Sequence, residues 1–190
     1  MPTLKAKLVL NVGGMFASKS TALIAQGKRH LLAGHKVLFI KPDIDNRYSD
    51  EEITTHDGQK VLSTKISSDC LLNKAEHDSL FDADVILIDE VQFFDKSIVR
   101  LLKFLLGSGK VIYCSGLDMD YRGEPFDVTM YLMGIADEVN KLKAVCSDCG
   151  DDSYVTVKTS GSNNRVEIGS KDMYQPVCRG CYKKLQEVGQ

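Results

Sequence analysis

The sequence has no long hydrophobic run and almost no net charge, and these two absences limit what the protein can do. Its longest apolar stretch, residues 101–106, is interrupted by Lys103 and is far shorter than the roughly 20 residues that span a bilayer. The 24 basic and 26 acidic side chains leave a formal charge of -2, which gives no general electrostatic reason to bind nucleic acid or an anionic membrane. We therefore expect no nucleic acid and no membrane among its partners.

The sequence also lacks a recognisable leader, an internal repeat and a low-complexity tract. Residues 1–12 carry lysines but lead into a strand-like segment without a small-residue cleavage site, so no signal peptide is expected. With 190 residues, 43% of them hydrophobic and 26% charged, the chain has room for one ordinary globular domain and a small module. These features predict a cytoplasmic protein in a reducing compartment.

The first two-thirds of the chain alternates short apolar runs with helical patterns. Strands are predicted at residues 4–12, 36–40, 84–88 and 110–115, and helices at residues 20–33 and 95–106. Gly34 suits the C′ position of the first helix, and Asp95 is a candidate N-cap of the second. Because near-continuous apolar strands alternate with helices, the pattern predicts an α/β fold whose parallel sheet has helices on both faces.

A glycine-rich turn connects the first predicted strand to the first predicted helix. Its residues are Gly13, Gly14, Met15, Phe16, Ala17, Ser18, Lys19, Ser20 and Thr21. This context is that of a phosphate-binding P-loop, in which backbone N–H groups and the helix dipole face phosphate oxygens. Lys19 would reach the β- and γ-phosphates of ATP, and the Ser20 hydroxyl would ligate Mg²⁺. Ser18 stands where a P-loop has glycine and would be strained if the site requires a positive φ. The alternative is a generic tight turn.

Two adjacent acids, Asp89 and Glu90, end the apolar strand predicted at residues 84–88. Open α/β sheets bind ligands beyond the carboxyl ends of their strands, so these acids are expected on the same side as the glycine-rich turn. Successive strand residues point in opposite directions, which predicts different roles. We assign Asp89 to the Mg²⁺ shell and Glu90 to accepting a proton from a hydroxyl or water. The alternative is that both acids simply solvate a strand end.

Four of the six cysteines form two pairs, Cys146 with Cys149 and Cys178 with Cys181. Two thiolates separated by two residues can bind one tetrahedral ion, so the four predict a closed, structural Zn²⁺ site. The alternative is unligated thiols or redox pairs. The polar, glycine-containing texture between the pairs predicts a β-rich zinc-binding module at residues 145–190, attached to a nucleotide-binding domain at residues 1–144.

Further segments stand in a fixed order along the chain. They are Lys41-Pro42-Asp43-Ile44-Asp45-Asn46-Arg47-Tyr48, then Thr55-His56-Asp57-Gly58, Asp89-Glu90-Val91-Gln92-Phe93, Gly116-Leu117-Asp118 with Pro125-Phe126, and Met173-Tyr174 before the last cysteine pair. With the glycine-rich turn, these segments resemble the cellular-type (type II) thymidine kinases from about residue 5 to residue 184. The resemblance implies ATP-dependent phosphorylation of the 5′-hydroxyl of thymidine, with Zn²⁺ and Mg²⁺ as cofactors.

The resemblance also implies roles for single residues. Glu90 would be the general base, and Asp45 and Arg47 would lie near the sugar and the transferring phosphate, with Asp45 in the Mg²⁺ shell and Arg47 as a charge clamp. His56 would have a structural, hydrogen-bonding role. The nucleoside would be bound by Met15, Asp45, Gln92, Leu117, Tyr121, Phe126, Thr156, Ile168, Gly169 and Tyr174, the last three in or at the end of a lasso loop that covers it.

The chain departs from the family pattern at two places. Gly14 and Ser18 replace the usual proline and glycine of the phosphate loop, and Asp120-Tyr121-Arg122 differs from the small and aromatic residues that usually follow Gly-Leu-Asp. By resemblance alone, we expect a homotetramer that is inhibited by thymidine triphosphate. The alternatives are a P-loop nucleotide-binding regulator without kinase activity, a zinc-ribbon nucleic-acid binder, and a kinase for another deoxynucleoside.

Overall fold

The computed structural model describes residues 4–44, 52–54, 58–160 and 173–188. Within these residues, no helix combines the length and the apolar character that crossing a bilayer requires. The helices are α1 (Lys19–Leu32), α2 (Lys74–Asp82), α3 (Ser97–Gly107), α4 (Asp127–Ile135) and α5 (Arg179–Val188). The strands are β1 (Lys7–Val12), β2 (Val37–Pro42), β3 (Glu52–Thr54), β4 (Lys60–Leu62), β5 (Thr64–Ile66), β6 (Val85–Ile88), β7 (Val111–Gly116), β8 (Glu138–Lys141), β9 (Ala144–Val145), β10 (Asp152–Ser153), β11 (Val155–Lys158) and β12 (Tyr174–Val177).

A six-stranded parallel sheet forms the centre of the fold. The apolar runs predicted a parallel sheet and its strands β1, β2, β6 and β7, but not β5 or β8. Its strand order is β5-β2-β6-β7-β1-β8, and every neighbouring pair is parallel. The carboxyl ends of all six strands therefore meet at one edge. Only β7 separates β1 from β6, so the carboxyl ends of these two strands lie about 10 Å apart, twice the usual strand spacing.

The four inner strands, β2, β6, β7 and β1, are buried on both faces because successive residues enter two separate apolar clusters. Leu8 and Leu10 of β1 belong to the cluster that α2, α3 and α4 cover. Val9, between them, packs in the other cluster with Leu23 and Ile24 of α1. Helices thus lie on both faces of the sheet, which confirms the predicted α/β architecture.

Two glycines explain how α1 packs and ends. A Cβ on Gly27 would lie 2.2 Å from the ring of Phe39, so the glycine allows α1 to approach β2 closely. Gly34 has φ 81° and follows the C-cap residue Ala33, which confirms its predicted C′ position.

Three predicted boundaries are wrong by two or three residues, one of them the end of β2, which is Pro42 instead of residue 40. The first strand begins at Lys7 instead of residue 4. The helix predicted at residues 95–106 begins at Ser97, with Lys96 as its N-cap by backbone position. Asp95, the residue before the N-cap, still accepts a hydrogen bond from the Ser97 N–H at 2.7 Å. Its carboxylate therefore satisfies one of the N–H groups of the first turn.

The C-terminal part of the chain contains two small antiparallel sheets, β9 with β10 and β11 with β12. The run of alternating residues 154–159 is confirmed as a strand, whereas the run at residues 165–168 lies outside the described residues. Helix α5 was not predicted; its Cys181 packs with Cys146, Val155 and Val177 in a separate apolar cluster. The division of the chain at residues 144 and 145 stays a prediction.

Candidate active site

The phosphate loop between β1 and α1 has unusual backbone conformations. Gly13 has φ 148°, and a Cβ there would lie 2.4 Å from the carbonyl oxygen of Leu142. Phe16 and Ser18 both adopt left-handed conformations, with φ values of 66° and 55°. The Ser18 position therefore requires positive φ, the condition under which the sequence predicts strain. Its side chain makes no capping hydrogen bond at the start of α1.

Lys19 is the first residue of α1, and its side chain folds back onto the loop. Its Nζ donates to the carbonyl oxygen of Gly14 at 2.7 Å. On the other side of the loop, the Met15 N–H donates to the Thr156 hydroxyl of β11 at 2.9 Å. Within α1, which the structure describes in full, the first turn carries no acidic side chain. The positive end of the helix dipole is thus uncompensated locally, which suits an anion.

At the carboxyl end of β6, Asp89 is held by two hydrogen bonds. It is 5% exposed, and its Oδ1 accepts from the Ser115 hydroxyl of β7 in a short hydrogen bond and from the Glu90 N–H at 3.0 Å. Glu90 follows in a left-handed conformation, φ 53° and ψ 45°, and leads into a 3₁₀ turn at Val91–Phe93. The two acids therefore differ in environment, because Asp89 is buried and pinned between strands whereas Glu90 is half-buried.

Gln92 connects Glu90 to the end of β7. Its Nε2 donates to Glu90 Oε2 in a short hydrogen bond, and its Oε1 accepts from the Leu117 N–H at 2.9 Å. The Leu117 donor requires the amide oxygen on its side, so the NH₂ group faces the Glu90 carboxylate. A Cβ on Gly116 would lie 2.7 Å from Gln92 Oε1, so this contact also requires the glycine. Both the NH₂ group and the oxygen of the Gln92 amide are thus hydrogen-bonded within the protein.

Two tyrosines assigned to the nucleoside both lie near one lysine. The Lys158 ammonium is 5.2 Å from the ring centre of Tyr121 and 5.9 Å from that of Tyr174. Tyr121 sits in a turn that the Asp120 carboxylate stabilises by accepting the N–H groups of Arg122 and Glu124 at 2.9 and 3.0 Å. A cation this close to two rings attracts both of them.

The remaining assigned residues are buried, partly exposed or outside the described residues. Phe126 and Thr156 are 8% and 7% exposed, so both are buried within the described structure. Ser20, Thr21, Met15 and Leu117 are partly exposed at the same edge of the sheet. Outside the described residues lie Asp45, Arg47, His56, Ile168 and Gly169.

The four paired cysteines form one compact cluster. Their Sγ atoms all lie within 4.8 Å of one another, and Cys149 Sγ is 3.7 Å from Cys178 Sγ. A tetrahedral ion with Zn–S bonds of about 2.3 Å requires S···S separations of about 3.8 Å, so the cluster fits such an ion. All six cysteines are among the described residues, and none forms a disulfide. The cluster could therefore hold a metal such as zinc.

Hydrogen bonding distinguishes the thiols of this cluster. Backbone N–H groups of Cys149 and Cys178 lower the pKa of the Cys146 thiol to about 6. In contrast, a hydrogen bond with Asp148 and contacts with the other thiols raise the pKa of Cys181. The opposite directions are expected of neighbouring groups that share protons, since forming one thiolate disfavours the next. A divalent cation would stabilise all four thiolates together.

Sequence reasoning missed two residues that organise this site. Ser115, which fixes Asp89, is the last residue of the strand predicted at 110–115, and a polar residue at that end of a buried strand was the available signal. Lys158 carried no local signal, because its contacts with Tyr121 and Tyr174 depend on the packing of distant segments.

Comparisons with known proteins show which family the chain resembles and which fold it shares. A sequence model of the thymidine kinase family matches residues 6–182. The chain is 37% identical over 182 residues to a thymidine kinase of Pseudothermotoga lettingae, covering 94% of this chain and 96% of the relative. It is also 37% identical over 189 residues to a thymidine kinase of Bacteroides thetaiotaomicron, covering 98% and 92%. A solved structure of the flagellar accessory protein FlaH from Methanocaldococcus jannaschii has a similar fold, with TM-score 0.51, 12% identity and coverage of 92% and 88%.

Proposed function

The chain belongs to the thymidine kinase family, and from that membership we propose which role each residue has in the reaction. Membership makes the protein a transferase that phosphorylates thymidine with ATP in nucleotide salvage. It also favours this activity over a regulator without kinase activity and over a zinc-ribbon nucleic-acid binder. The 5′-hydroxyl is the acceptor we propose, as the resemblance of the sequence implies.

We assign the phosphate chemistry to the loop at the end of β1. Residues 13–21 bind the β- and γ-phosphates of ATP, with Lys19 neutralising charge on the group in transfer. Mg²⁺ would be held by the oxygen ligands of Ser20, Asp89 and Asp45, the donor type that this ion prefers. When bound, it supplies charge neutralisation between the phosphates. The support is the joint position of the loop and the Asp89 carboxylate at one edge of the sheet.

We assign the acceptor side of the reaction to Glu90. Its carboxylate takes the proton from the 5′-hydroxyl while the hydroxyl oxygen forms a bond to the γ-phosphorus, and the bond from that phosphorus to ADP breaks. The observation that carries this assignment is the Gln92 amide, which Leu117 orients so that its NH₂ group fixes the Glu90 carboxylate. Arg47 is proposed as the cation that clamps the transferring group.

We assign thymidine binding to residues from three parts of the chain. The buried Phe126, Thr156 and Tyr174 support this assignment, as does the lysine contact that joins Tyr121 to Tyr174. The family resemblance proposes roles for six other residues. They are Met15, Gln92 and Leu117 of the described structure, Asp45 beside the sugar, and Ile168 and Gly169 in the lasso loop.

We further propose that the metal at the cysteine cluster is a structural Zn²⁺. Four protein thiolates leave no open coordination position, so the ion would stabilise the fold without entering the chemistry. The cluster joins α5 to the strands of the β-rich module, residues 145–190, which also carries Thr156 and Tyr174. The family resemblance adds a homotetramer, inhibition by thymidine triphosphate and a cytoplasmic location to the proposal.

A nucleoside panel tests the proposed substrate. Purified protein with ATP and Mg²⁺ is offered thymidine, deoxyuridine, deoxycytidine, deoxyadenosine and deoxyguanosine, and the product is identified by ³¹P NMR. We expect thymidine to have the highest kcat/KM and to be phosphorylated at its 5′-oxygen. Equal turnover of all five nucleosides, or a 3′-phosphate product, would contradict the proposed assignment.

A further inference from the structure

One peptide group of the phosphate loop is held from both sides. The Gly14–Met15 peptide accepts a hydrogen bond from Lys19 Nζ at its carbonyl oxygen, 2.7 Å away, and its N–H donates to Thr156 Oγ1 at 2.9 Å. A trans peptide points its C=O and N–H in opposite directions, so the two partners approach from opposite sides. The tilt of this peptide plane therefore decides where its carbonyl oxygen meets the lysine ammonium.

Thr156 is a rigid support for this peptide. It lies on β11, where it pairs with Pro176 of β12, and it is 7% exposed. Threonine is branched at Cβ, so its side chain has few rotamers and loses little freedom in making the bond. Because Thr156 lies 141 residues beyond Met15, the contact connects the phosphate loop to a separate small sheet.

Gly14 is the residue that allows this contact. A Cβ on Gly14 would lie 2.8 Å from Thr156 Oγ1, closer than carbon and oxygen normally approach without a bond. Its other close neighbours are atoms of Tyr154, at 3.8 and 3.9 Å, which leave ordinary room. Gly14 is one of the two loop positions where this chain departs from the type II pattern, which has proline there. The Thr156 hydroxyl thus lies where a side chain on residue 14 would otherwise interfere with it.

We propose that Thr156 is a positioning residue for Lys19, acting through the Gly14–Met15 peptide. Its hydroxyl fixes the N–H of that peptide, and the carbonyl of the same peptide holds the lysine ammonium over the loop that receives ATP phosphates. This inference rests on the phosphate-binding role proposed for Lys19 and adds to the thymidine contact proposed for Thr156. Loss of one buried neutral hydrogen bond is expected to weaken ATP binding about fivefold.

Two substitutions of Thr156 separate this role from a contact with thymidine. Thr156→Val keeps the shape and removes the hydroxyl, whereas Thr156→Ser keeps the hydroxyl and removes the methyl group. We expect Thr156→Val to raise the Kd for ATP, measured by calorimetry without thymidine, about fivefold. Thr156→Ser should bind ATP like the wild type. A purely thymidine-binding role gives the opposite pattern, with an altered KM for thymidine in Thr156→Ser and unchanged ATP binding in Thr156→Val, and that result would overturn the inference.

Gly14→Ala tests the same bond from the loop side and does not depend on the folding of the Thr156 variants. Its Cβ displaces the Thr156 hydroxyl, so the Kd for ATP should rise to a similar extent, with no further rise when Thr156→Val is added. Additive effects of the two substitutions would refute the inference. Lys19→Ala distinguishes a failure of the role proposed for Lys19 from a failure of the inference about Thr156. If it leaves ATP binding unchanged, the role of Lys19 fails and this inference with it; if it alone weakens ATP binding, only the inference about Thr156 fails.

Discussion

At the scale of single residues, backbone strain is concentrated at the ends of β1 and β6. Of the four described non-glycine residues with positive φ, only Cys70 lies elsewhere; Phe16, Ser18 and Glu90 lie where ATP and the acceptor are proposed to bind. Such conformations cost free energy and persist only where the surroundings enforce them. The sequence predicted this strain conditionally at Ser18, because the resemblance has glycine there. It offered no such signal for Glu90, whose conformation follows from the tight turn after β6.

Replacing Ser18 with glycine is predicted to stabilise the protein. Glycine adopts φ 55° without the clash that a Cβ creates, and the Ser18 side chain makes no capping hydrogen bond that would be lost. We expect Ser18→Gly to raise the free energy of unfolding by about 1 kcal/mol, measured by urea denaturation.

The matched control for Ser18→Gly is the same change at Ser108, the C-cap of α3, where φ is -86°. There glycine adds freedom to the unfolded chain and also removes the exposed hydrogen bond that the Ser108 hydroxyl donates to the Phe104 carbonyl oxygen at 3.0 Å. Ser108→Gly should therefore lower the free energy of unfolding, by about 1 kcal/mol. If both variants change stability in the same direction, left-handed strain at Ser18 is not the cause.

At the scale of elements, long apolar strands were predictable and short or half-buried elements were not. Strand β6, and β7 as far as Cys114, are apolar because both sheet faces are covered. The three-residue strands β3, β4 and β5 are too short to show a period, and they were missed. Helix α2 was also missed, although its capping box was a readable signal. Asn73 Oδ1 accepts from the Glu76 N–H at 3.0 Å, and Glu76 Oε2 accepts from the Asn73 N–H at 2.8 Å.

The capping box of α2 gives a prediction for one element. Asn73→Ala removes the acceptor for the Glu76 N–H and is expected to lower the free energy of unfolding by about 1 kcal/mol, measured by urea denaturation. Asn73→Asp keeps an acceptor at the helix start and should remain within about 0.5 kcal/mol of the wild type. Equal losses in both variants would show that the capping hydrogen bond does not stabilise α2.

The cysteine cluster predicts how the C-terminal elements respond to loss of a ligand. Cys149→Ser removes one of four thiolates, and we expect the purified protein to lose its zinc, about one ion per chain, and to melt at a lower temperature. Zinc content is measured by atomic emission and melting by calorimetry. Cys70→Ser changes a cysteine outside the cluster and should keep the metal. Wild-type protein without zinc, or Cys149→Ser protein with a full complement of it, would refute the metal site.

At the scale of the whole molecule, the sequence predicted the architecture but not its long-range contacts. The parallel sheet was predicted from the apolar strands and the cysteine cluster from the cysteine spacing, whereas the strand order was not predicted. The contacts of Thr156 with Met15 and of Gln92 with Leu117 join segments far apart in sequence. No local period or spacing encodes them, because the first arises only when β11 packs against the phosphate loop and the second only when β6 and β7 lie side by side.

A partly buried histidine predicts how stability depends on pH. His30 contacts His35 at 3.2 Å and the Tyr113 hydroxyl at 3.1 Å. Burial lowers its pKa below the ordinary 6.5, and the neighbouring His35, Lys7 and Arg29 lower it further. As the pH falls below 6.5, the unfolded chain therefore binds the proton before the folded protein does. The free energy of unfolding therefore decreases as the pH decreases, until the pH is below the pKa of His30 in the folded protein.

Replacing His30 tests this dependence. We expect His30→Asn to lose less stability than the wild type between about pH 7.5 and pH 5.5, measured by urea denaturation at each pH. A slope in His30→Asn equal to that of the wild type would assign the pH dependence to other groups.

The central claim is that Glu90 accepts the proton of the nucleoside hydroxyl while the separate loop around Lys19 holds ATP. The most direct measurement is of ATP affinity and of thymidine turnover in the same preparations of Glu90→Gln, with Glu187→Gln on the exposed face of α5 as the matched control. We expect Glu90→Gln to lower kcat at least about 100-fold with an unchanged Kd for ATP, and Glu187→Gln to behave like the wild type. Wild-type turnover in Glu90→Gln would contradict the account.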